Sequence, residues 1–427
     1  MRFPPLKRTK HSIALGLLCL FISCRTEDRQ APAEDRLSAF LDNDLARPLL
    51  LQDHRELLAY LRAFPRDDYN LRATSNGFSY FIEKSARLDG IKQILSAGQV
   101  WEEDFIALMA EYIKPGTAVV DAGAYVGTHS LAMARLAGPN GRVYAFEPQK
   151  KVFRELVFNI IENQVRNVTP LRFALGEANR IIEMDKPVDG LEAVVKVGQG
   201  GDPVELRTLD SFHLRDVSFL KIDVEGYEDP VLEGARQTIA ANRHPPILIE
   251  NVGGRHRLED YGYTVTPLEH RDYLALAAPV YELGSVISFA DSGNANPFKS
   301  GSWSQAEDWG AWTNGSTAHL VLPLARVPQQ DLILAGVVKA YVNDRHPRQE
   351  VEVSVNGRPI DRWIFRDGGL QNIEVRVPAS YLQGFFIKPL LRVTFEIKNP
   401  VSPAELGLSA DKRTLGLGVR ELTVREP

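Results

Sequence analysis

The sequence predicts a doubly wound α/β sheet followed by a C-terminal all-β sandwich, and three observations lead to that reading. Between Val119 and Glu250, short β-branched runs alternate with stretches of helical periodicity. Four of those runs end in a carboxylate, at Asp121, Glu147, Asp223 and Glu250. From Ala290 onward the helical period disappears, and alternating strands separated by turn residues replace it. At 427 residues the chain is long enough for two or three domains, and its 44% apolar content suffices for packed cores. The net charge of -5 argues against a nucleic-acid footprint, which needs a basic face.

The elements follow from the N-terminus. Arg2, Lys7, Arg8 and Lys10 precede an uncharged, mostly apolar run from Ser12 to Cys24. This run is shorter than the ~20 residues of a comfortable membrane-spanning helix and has the layout of an export leader. Both cysteines, Cys19 and Cys24, lie within it, so the remaining chain has neither a disulfide nor a cysteine metal site. Phe21-Ile22-Ser23-Cys24 resembles a bacterial lipoprotein cleavage box, departing from it at Phe21, where an aliphatic residue is usual. The resemblance implies a lipidated Cys24, attachment to the cell envelope, and a polar tether over Arg25 to Glu34. The alternatives are an uncleaved anchor or a start codon placed too early, and without a working leader the protein is expected in the cytoplasm. The expected divisions are a leader over 1–24, a tether and helical segment over 25–77, an α/β domain over 78–278 and a β-sandwich over 279–427.

Arg36 to Phe64 has leucines at helical spacing and reads as a packing or lid segment, and residues 78–100 read as short strands or turns. Trp101 to Ile113 predicts an amphipathic helix with acidic residues in its first turn, where the helix dipole favours them. Pro115-Gly116 stops it. Val119-Val120-Asp121 then enters a turn containing Gly123, Tyr125 and Gly127, a helix follows over Thr128 to Leu136, and Arg142 to Phe146 forms the next strand, ending at Glu147. Strand, glycine turn, helix, strand and acid make a nucleotide-binding unit, with the acid placed for ribose hydroxyls. A dinucleotide fingerprint would need glycine at Tyr125 and Thr128. Their absence suits a ligand with a ribose and no phosphates, of which S-adenosylmethionine is the common one. Helical spacing over Lys151 to Gln164, a strand over Val168 to Leu175, and buried strands over Leu220 to Val224 and Ile247 to Glu250 continue the alternation.

Phe219 to Glu228, Val231-Leu232-Glu233-Gly234-Ala235 and Pro246 to Glu250 resemble the FkbM family of methyltransferases, and the upstream Asp121 to Gly127 and Ala145-Phe146-Glu147-Pro148 are similar to that family's cofactor motifs. The likeness covers roughly residues 78–278 and includes the Thr208-Leu209-Asp210 step before the catalytic strand and a closing segment over Leu258 to Leu276. It implies a Rossmann-like class I methyltransferase fold, S-adenosylmethionine as cofactor, and methyl transfer to an oxygen. Asp121, Gly123, Tyr125, Gly127, Glu147 and Ala174 are then the expected cofactor residues, with Ala174-Leu175 flanking the adenine. Glu147 would take both ribose hydroxyls, and Asp121 would either hold the cofactor's amino group or order the loop. Asp223, Glu225 and Glu250 are the expected catalytic group, since close carboxylates push one pKa upward and so supply a base. Glu225 has a rival reading as the cap of the following helix, and His129 reads as a first-turn helix residue rather than a base. No carboxylate pair comes with histidines at metal-ligand spacing, so the sequence gives no support for a required metal.

The last third reads as strands over Ala318 to Leu322, Leu332 to Tyr341, Gln349 to Val355, Asn372 to Val377, Leu391 to Ile397 and Leu415 to Val424, with a hairpin turn at Asn356-Gly357. Its opening, with Trp303, Trp309 and Trp312, resembles jelly-roll modules appended to bacterial glycan-processing proteins. Those rings are expected either to pack in the core and edge or to stack on sugars. The expected acceptor is therefore a saccharide or glycolipid hydroxyl. The alternatives are a small lipid or polyketide-like acceptor, or a surface lipoprotein whose catalytic fold has become a scaffold.

Overall fold

The computed structural model describes residues 59–186, 195–250, 255–268, 271–383 and 389–427, and residues 65–427 form one compact unit. The leader, Cys24, the tether and most of the expected 36–64 helix lie outside the described residues; of that helix, residues 59–62 are helical. The unit opens with a hairpin of β1 (Tyr69–Ala73) and β2 (Ser79–Glu83), then α1 (Gly90–Ser96) and α2 (Glu103–Tyr112). Helix α1 corrects the expectation of strands or turns over 78–100. It is too short to show a period and starts because the Asp89 side chain accepts the Lys92 N–H at 3.0 Å.

The central sheet is laid down as β3 (Ala118–Ala122), α3 (Thr128–Ala137), β4 (Arg142–Phe146), α4 (Lys150–Glu162) and β5 (Val168–Leu171). A small side sheet interrupts it: β6 (Ala174–Leu175), β7 (Arg180–Asp185), β8 (Val197–Gly198) and β9 (Gly200–Arg207). The expected single strand over 168–175 is therefore two strands in different sheets. The central sheet resumes with β10 (Val217–Ile222), α5 (Glu228–Glu233), α6 (Arg236–Ala241), β11 (Ile247–Glu250), α7 (Arg255–Asp260), β12 (Tyr263–Pro267) and β13 (Asp272–Ala277). Its order is β12-β13-β11-β10-β3-β4-β5, parallel from β11 to β5 with β13 antiparallel to β11. Strand β3 lies between β10 and β4, where the chain's winding reverses, and that is where an open α/β sheet binds its ligand. Each of these strands is nearly continuous in β-branched and aliphatic residues because helices cover both faces.

The C-terminal part contains β14 (Val286–Ser288), β15 (Lys299–Trp303), β16 (Ala311–Pro323), β17 (Leu332–Ala340), β18 (Gln349–Val355), β19 (Arg358–Phe365), β20 (Gln371–Val377), β21 (Leu390–Ile397) and β22 (Leu415–Arg425). Strand β16 serves both layers: Ala311 to Asn314 pair with β22 and Thr317 to Pro323 with β21. Gly315, at φ 130°, turns the strand between the two. The hairpin turn at Asn356-Gly357 forms with φ of 51° and 75°. Its return strand, β19, is one the sequence does not suggest, because it is an exposed edge carrying Pro359 and charged residues.

The tryptophans are not grouped on a surface loop. Trp303 lies within β15 and Trp312 within β16. Trp303 donates from Nε1 to the carbonyls of Ser300 (3.1 Å) and His319 (3.0 Å), and Trp312 is 9% exposed. Both are packing residues, and only Trp309 lines a surface hollow. The two parts of the unit share a seam. Buried Ser300 donates to Glu259 at 2.6 Å and accepts the Val265 N–H at 3.1 Å, while Arg392 reaches Asp260 at 2.8 Å.

Candidate active site

Strand β3 delivers the chain into a turn that ordinary side chains could not make. Gly123 has φ 85°, and a Cβ there would sit 1.7 Å from the Asp223 carbonyl oxygen. The two strand ends therefore touch only because residue 123 is glycine. Tyr125 follows at φ 49°, held by a hydrogen bond from its hydroxyl to Asp89. Gly127, at φ 93°, caps α3, and a Cβ there would meet the Leu156 side chain at 2.8 Å.

Above this turn opens a cavity lined by Gly123, Tyr125, Glu147, Ala174 and Asp223, with Glu225 at its rim. Phe146, Phe173, Leu175 and Met184 supply an apolar wall, and Ile91 closes it from α1. Glu147, 3% exposed at the end of β4, accepts the Tyr125 N–H at 3.0 Å on one carboxylate oxygen and the Gln149 N–H at 2.9 Å on the other. Burial pushes its carboxyl up to about 7 against the pull of those two N–H groups. Each oxygen keeps a second lone pair, so the carboxylate can still accept from a vicinal diol.

Two expected cofactor residues stand elsewhere. Asp121 is fully buried beneath the loop, accepts from the Ser130 hydroxyl at 2.5 Å and lies 3.9 Å from Lys221 Nζ. Its carboxylate thereby ties the end of β3 to the first turn of α3. Gly127 is likewise behind the cavity wall and acts as a helix cap. Neither is among the cavity's lining residues, whereas Gly123 and Tyr125 between them are.

The carboxyl ends of β10 and β11 form the second half of the site. Lys221 lies opposite Asp121 and Glu250 lies opposite Asp272 in the strand register. Alternate residues share a face, so Asp121, Lys221, Asp223, Glu250 and Asp272 make one charged row on the sheet. Lys221 donates to Asp223 at 2.7 Å. Burial alone would raise the Asp223 carboxyl, but the Lys221 ammonium and a hydrogen bond from Glu250 carry it below the usual carboxylate range. Glu250 is pushed the other way, up to about 8, by burial and by the Asp223 charge. The two carboxyls are thus driven apart, Asp223 towards the ionised form and Glu250 towards the protonated one. Burial and the charges of Glu102 and Asp223 raise Asp272 to about 7. Asp223, Glu225 and Glu250 bring oxygens within 4.8 Å of one another, a set that could also hold a divalent cation.

Glu225 does not cap the following helix. Its backbone is left-handed, at φ 57°, and Glu228 does the capping work by accepting the N–H groups of Gly226 (2.9 Å) and Val224 (3.2 Å). That leaves the Glu225 side chain beside Asp223, where burial and the Asp223 charge raise its carboxyl. His129 is the first-turn helix residue expected. Burial and the Lys221 charge lower it to about 3, so it stays neutral, with Nε2 3.3 Å from the Glu102 carboxylate. Lys221, Glu228 and Asp272 are the residues that sequence reasoning missed. Lys221 carried a signal, a lone charge two residues before Asp223 in an otherwise apolar strand; Asp272 carried none, since only strand register brings it to Glu250.

A glycine turn pressed against a strand end, a buried carboxylate able to accept a diol, an apolar cavity wall and a carboxylate at the next strand end are the features of an S-adenosylmethionine-dependent methyltransferase. Residues 121–278 match the methyltransferase FkbM domain. A curated fibrillarin-like rRNA/tRNA 2'-O-methyltransferase from Pyrobaculum aerophilum is 33% identical over 82 residues, covering 19% of this chain and 34% of that protein. The chain thus spans about a third of the length of that relative. Among solved structures, a methyltransferase FkbM from Methylobacillus flagellatus is 18% identical with a TM-score of 0.28, covering 43% of this chain and 52% of the other. Aeropyrum pernix fibrillarin with bound S-adenosyl-L-methionine is 17% identical with a TM-score of 0.27, covering 51% and 86%.

Proposed function

We propose that the chain transfers a methyl group from S-adenosylmethionine to a hydroxyl of a saccharide or glycolipid. The observation that carries this reading is the placement of Asp223: fixed by Lys221 at 2.7 Å, within 4.8 Å of Glu225 and Glu250 oxygens, and at the wall of the cavity that holds Glu147. S-adenosylmethionine, when bound, supplies the sulfonium methyl group. Glu147 accepts the ribose hydroxyls, and Phe146 and Phe173 offer apolar faces to the base. The Asp223 carboxylate would orient the acceptor hydroxyl and receive its proton as the new C–O bond forms and the C–S bond breaks, with S-adenosylhomocysteine as the leaving group. Glu250 can then release its own proton outward and take the one on Asp223, which restores the pair after each turnover. Glu225, raised and beside Asp223, faces the same space and holds a further acceptor hydroxyl. An acceptor rich in hydroxyls suits this polar rim better than a hydrocarbon chain does.

The test is transfer of labelled methyl from S-adenosylmethionine to a panel of oligosaccharides and glycolipids. Asp223→Asn should lower turnover by about 10²- to 10⁴-fold, with affinity for S-adenosylhomocysteine held within a few-fold. Transfer surviving in that variant, but lost in Glu225→Gln, would move the base to Glu225. We further propose that the leader exports the chain and that Cys24 is lipidated, on the strength of the Phe21-Ile22-Ser23-Cys24 box. Labelling with a palmitate analogue should mark the wild type and not Cys24→Ser; labelling of neither would remove the anchor.

A further inference from the structure

The C-terminal domain carries a hollow of about 440 Å³ that the methyl-transfer site does not use. Its wall consists of Ser288, Ala290, Asp308, Trp309, Arg420 and Glu421. The backbone beneath it is close-packed: Ser288 pairs with Glu421 across β14 and β22, and the Phe289 N–H donates to the Arg420 carbonyl at 2.9 Å. The tight turn from Glu307 to Gly310 presses onto β22, where a Cβ at Gly310 would come 2.3 Å from the Val419 oxygen. The hollow is therefore a rigid feature of the sheet edge.

Its side chains divide into one fixed ring and several unspent polar groups. Trp309 is held on three sides. Its Nε1 donates to Glu307 at 2.7 Å, Trp312 meets it edge-on at 5.2 Å, and Lys339 Nζ, which is not part of the wall, lies 3.2 Å from the ring centroid. An aromatic ring locked in this way loses little freedom when a ligand packs on it. Asp308, Arg420 and Glu421, by contrast, form no side-chain hydrogen bond or ion pair among the described residues. One donor fork and two carboxylate acceptors thus converge on one aromatic ring without neutralising each other.

We infer that this hollow is a saccharide-binding site, which takes a neutral pyranose or furanose unit through the Trp309 ring and its hydroxyls through Arg420, Asp308 and Glu421. A sugar offers both chemistries at once: an apolar C–H face, and hydroxyls that donate and accept in turn. With the Lys339 ammonium beside Trp309, the two carboxylates and one guanidinium of the wall leave no net positive charge to draw an acidic sugar. The site is separate from the methyl-transfer cavity, so it would anchor the chain to a glycan whether or not that glycan is the methyl acceptor.

The experiment uses the full chain, probed with cellohexaose, xylohexaose, chitohexaose and oligogalacturonate by calorimetry and tryptophan fluorescence. At least one neutral oligosaccharide should bind with a fluorescence change. Trp309→Ala and Arg420→Ala should each weaken that binding at least 10-fold, while affinity for S-adenosylhomocysteine is unchanged. Because Arg420 is exposed, its variant tests the site even if loss of Trp309 disturbs folding. Binding by none of the four probes, binding of the acidic probe alone, or binding undiminished in both variants would overturn the inference. None of these outcomes touches the methyl-transfer reading, which rests on Asp223.

Discussion

The two halves of the compact unit bury different things. The methyltransferase part keeps Asp89, Lys92, Asp121, Glu147, Glu155, Lys221, Glu228, Glu259 and Asp272 out of water. The β-domain, from Tyr281 on, buries no Asp, Glu, Lys or Arg among the described residues; its interior polar groups are Ser300, Ser304, Thr313, His319, Gln349, Thr394 and Ser402 around an aliphatic and aromatic core. Burying a charge costs several kcal/mol even after relaxation, and an apolar replacement is often as stable. The α/β part holds several of these charges in pairs, Lys92 with Glu155 at 2.8 Å and Lys221 with Asp223 at 2.7 Å. The β-domain keeps its charges at the surface, many of them in ion pairs such as Lys398 with Glu352 at 2.6 Å and Arg413 with Glu307 at 2.8 Å.

The comparison is broken most severely at Lys221. Lys221→Met removes the cation from between Asp121 and Asp223 and should cost about 3–5 kcal/mol at pH 8. The Asp223 carboxyl is depressed in the folded state, so its contribution is present above the ordinary carboxylate pKa and is lost as pH falls through the folded value. Without Lys221 that contribution disappears, so denaturation should show a smaller loss at pH 4 than at pH 8. Phe395→Ala in the β-domain should cost a similar amount, about 3–5 kcal/mol, through cavity formation, but with the same loss at both pH values. Equal pH dependence in the two variants would erase the distinction between the halves.

Glu147 sharpens it at the level of binding. Its carboxyl is raised to about 7, so the folded protein holds that proton between the ordinary range and 7, and loses stability as pH rises through this window. The ribose hydroxyls need the ionised form. Affinity for S-adenosylhomocysteine should therefore rise from pH 6 to pH 8 and then level off. Glu147→Gln should lose about 1.5–3 kcal/mol of binding and flatten the pH profile. A slope unchanged in that variant would assign the proton to another group.

The smallest effect is expected at the seam. Ser300→Ala removes the hydroxyl that joins Glu259 to the Val265 N–H and should cost about 1 kcal/mol. Separate melting of the two halves in this variant, where the wild type melts once, would show that the seam couples them.

Much of the architecture was legible in the chain. The β-branched runs around Asp121, Glu147, Asp223 and Glu250 mark parallel strands, because a strand covered on both faces must be apolar until it ends. Gly123 and Gly127 announce the turn, and Asn356-Gly357 announces a hairpin, since few other residues adopt positive φ without strain. Local rules such as these act within a few residues and need no partner. What lay beyond them depended on neighbours distant in sequence. Strand register set Lys221 against Asp121 and Asp272 against Glu250. The course of the turn left Asp121 and Gly127 out of the cavity's lining. The opposite pKa shifts of Asp223 and Glu250 arise from the closeness of two strand ends, and the settings of Trp303, Trp309 and Trp312 arise from the packing around each ring. Sequence spacing determines which face of a strand a side chain takes. Only packing decides what stands opposite it, and therefore what charge it carries.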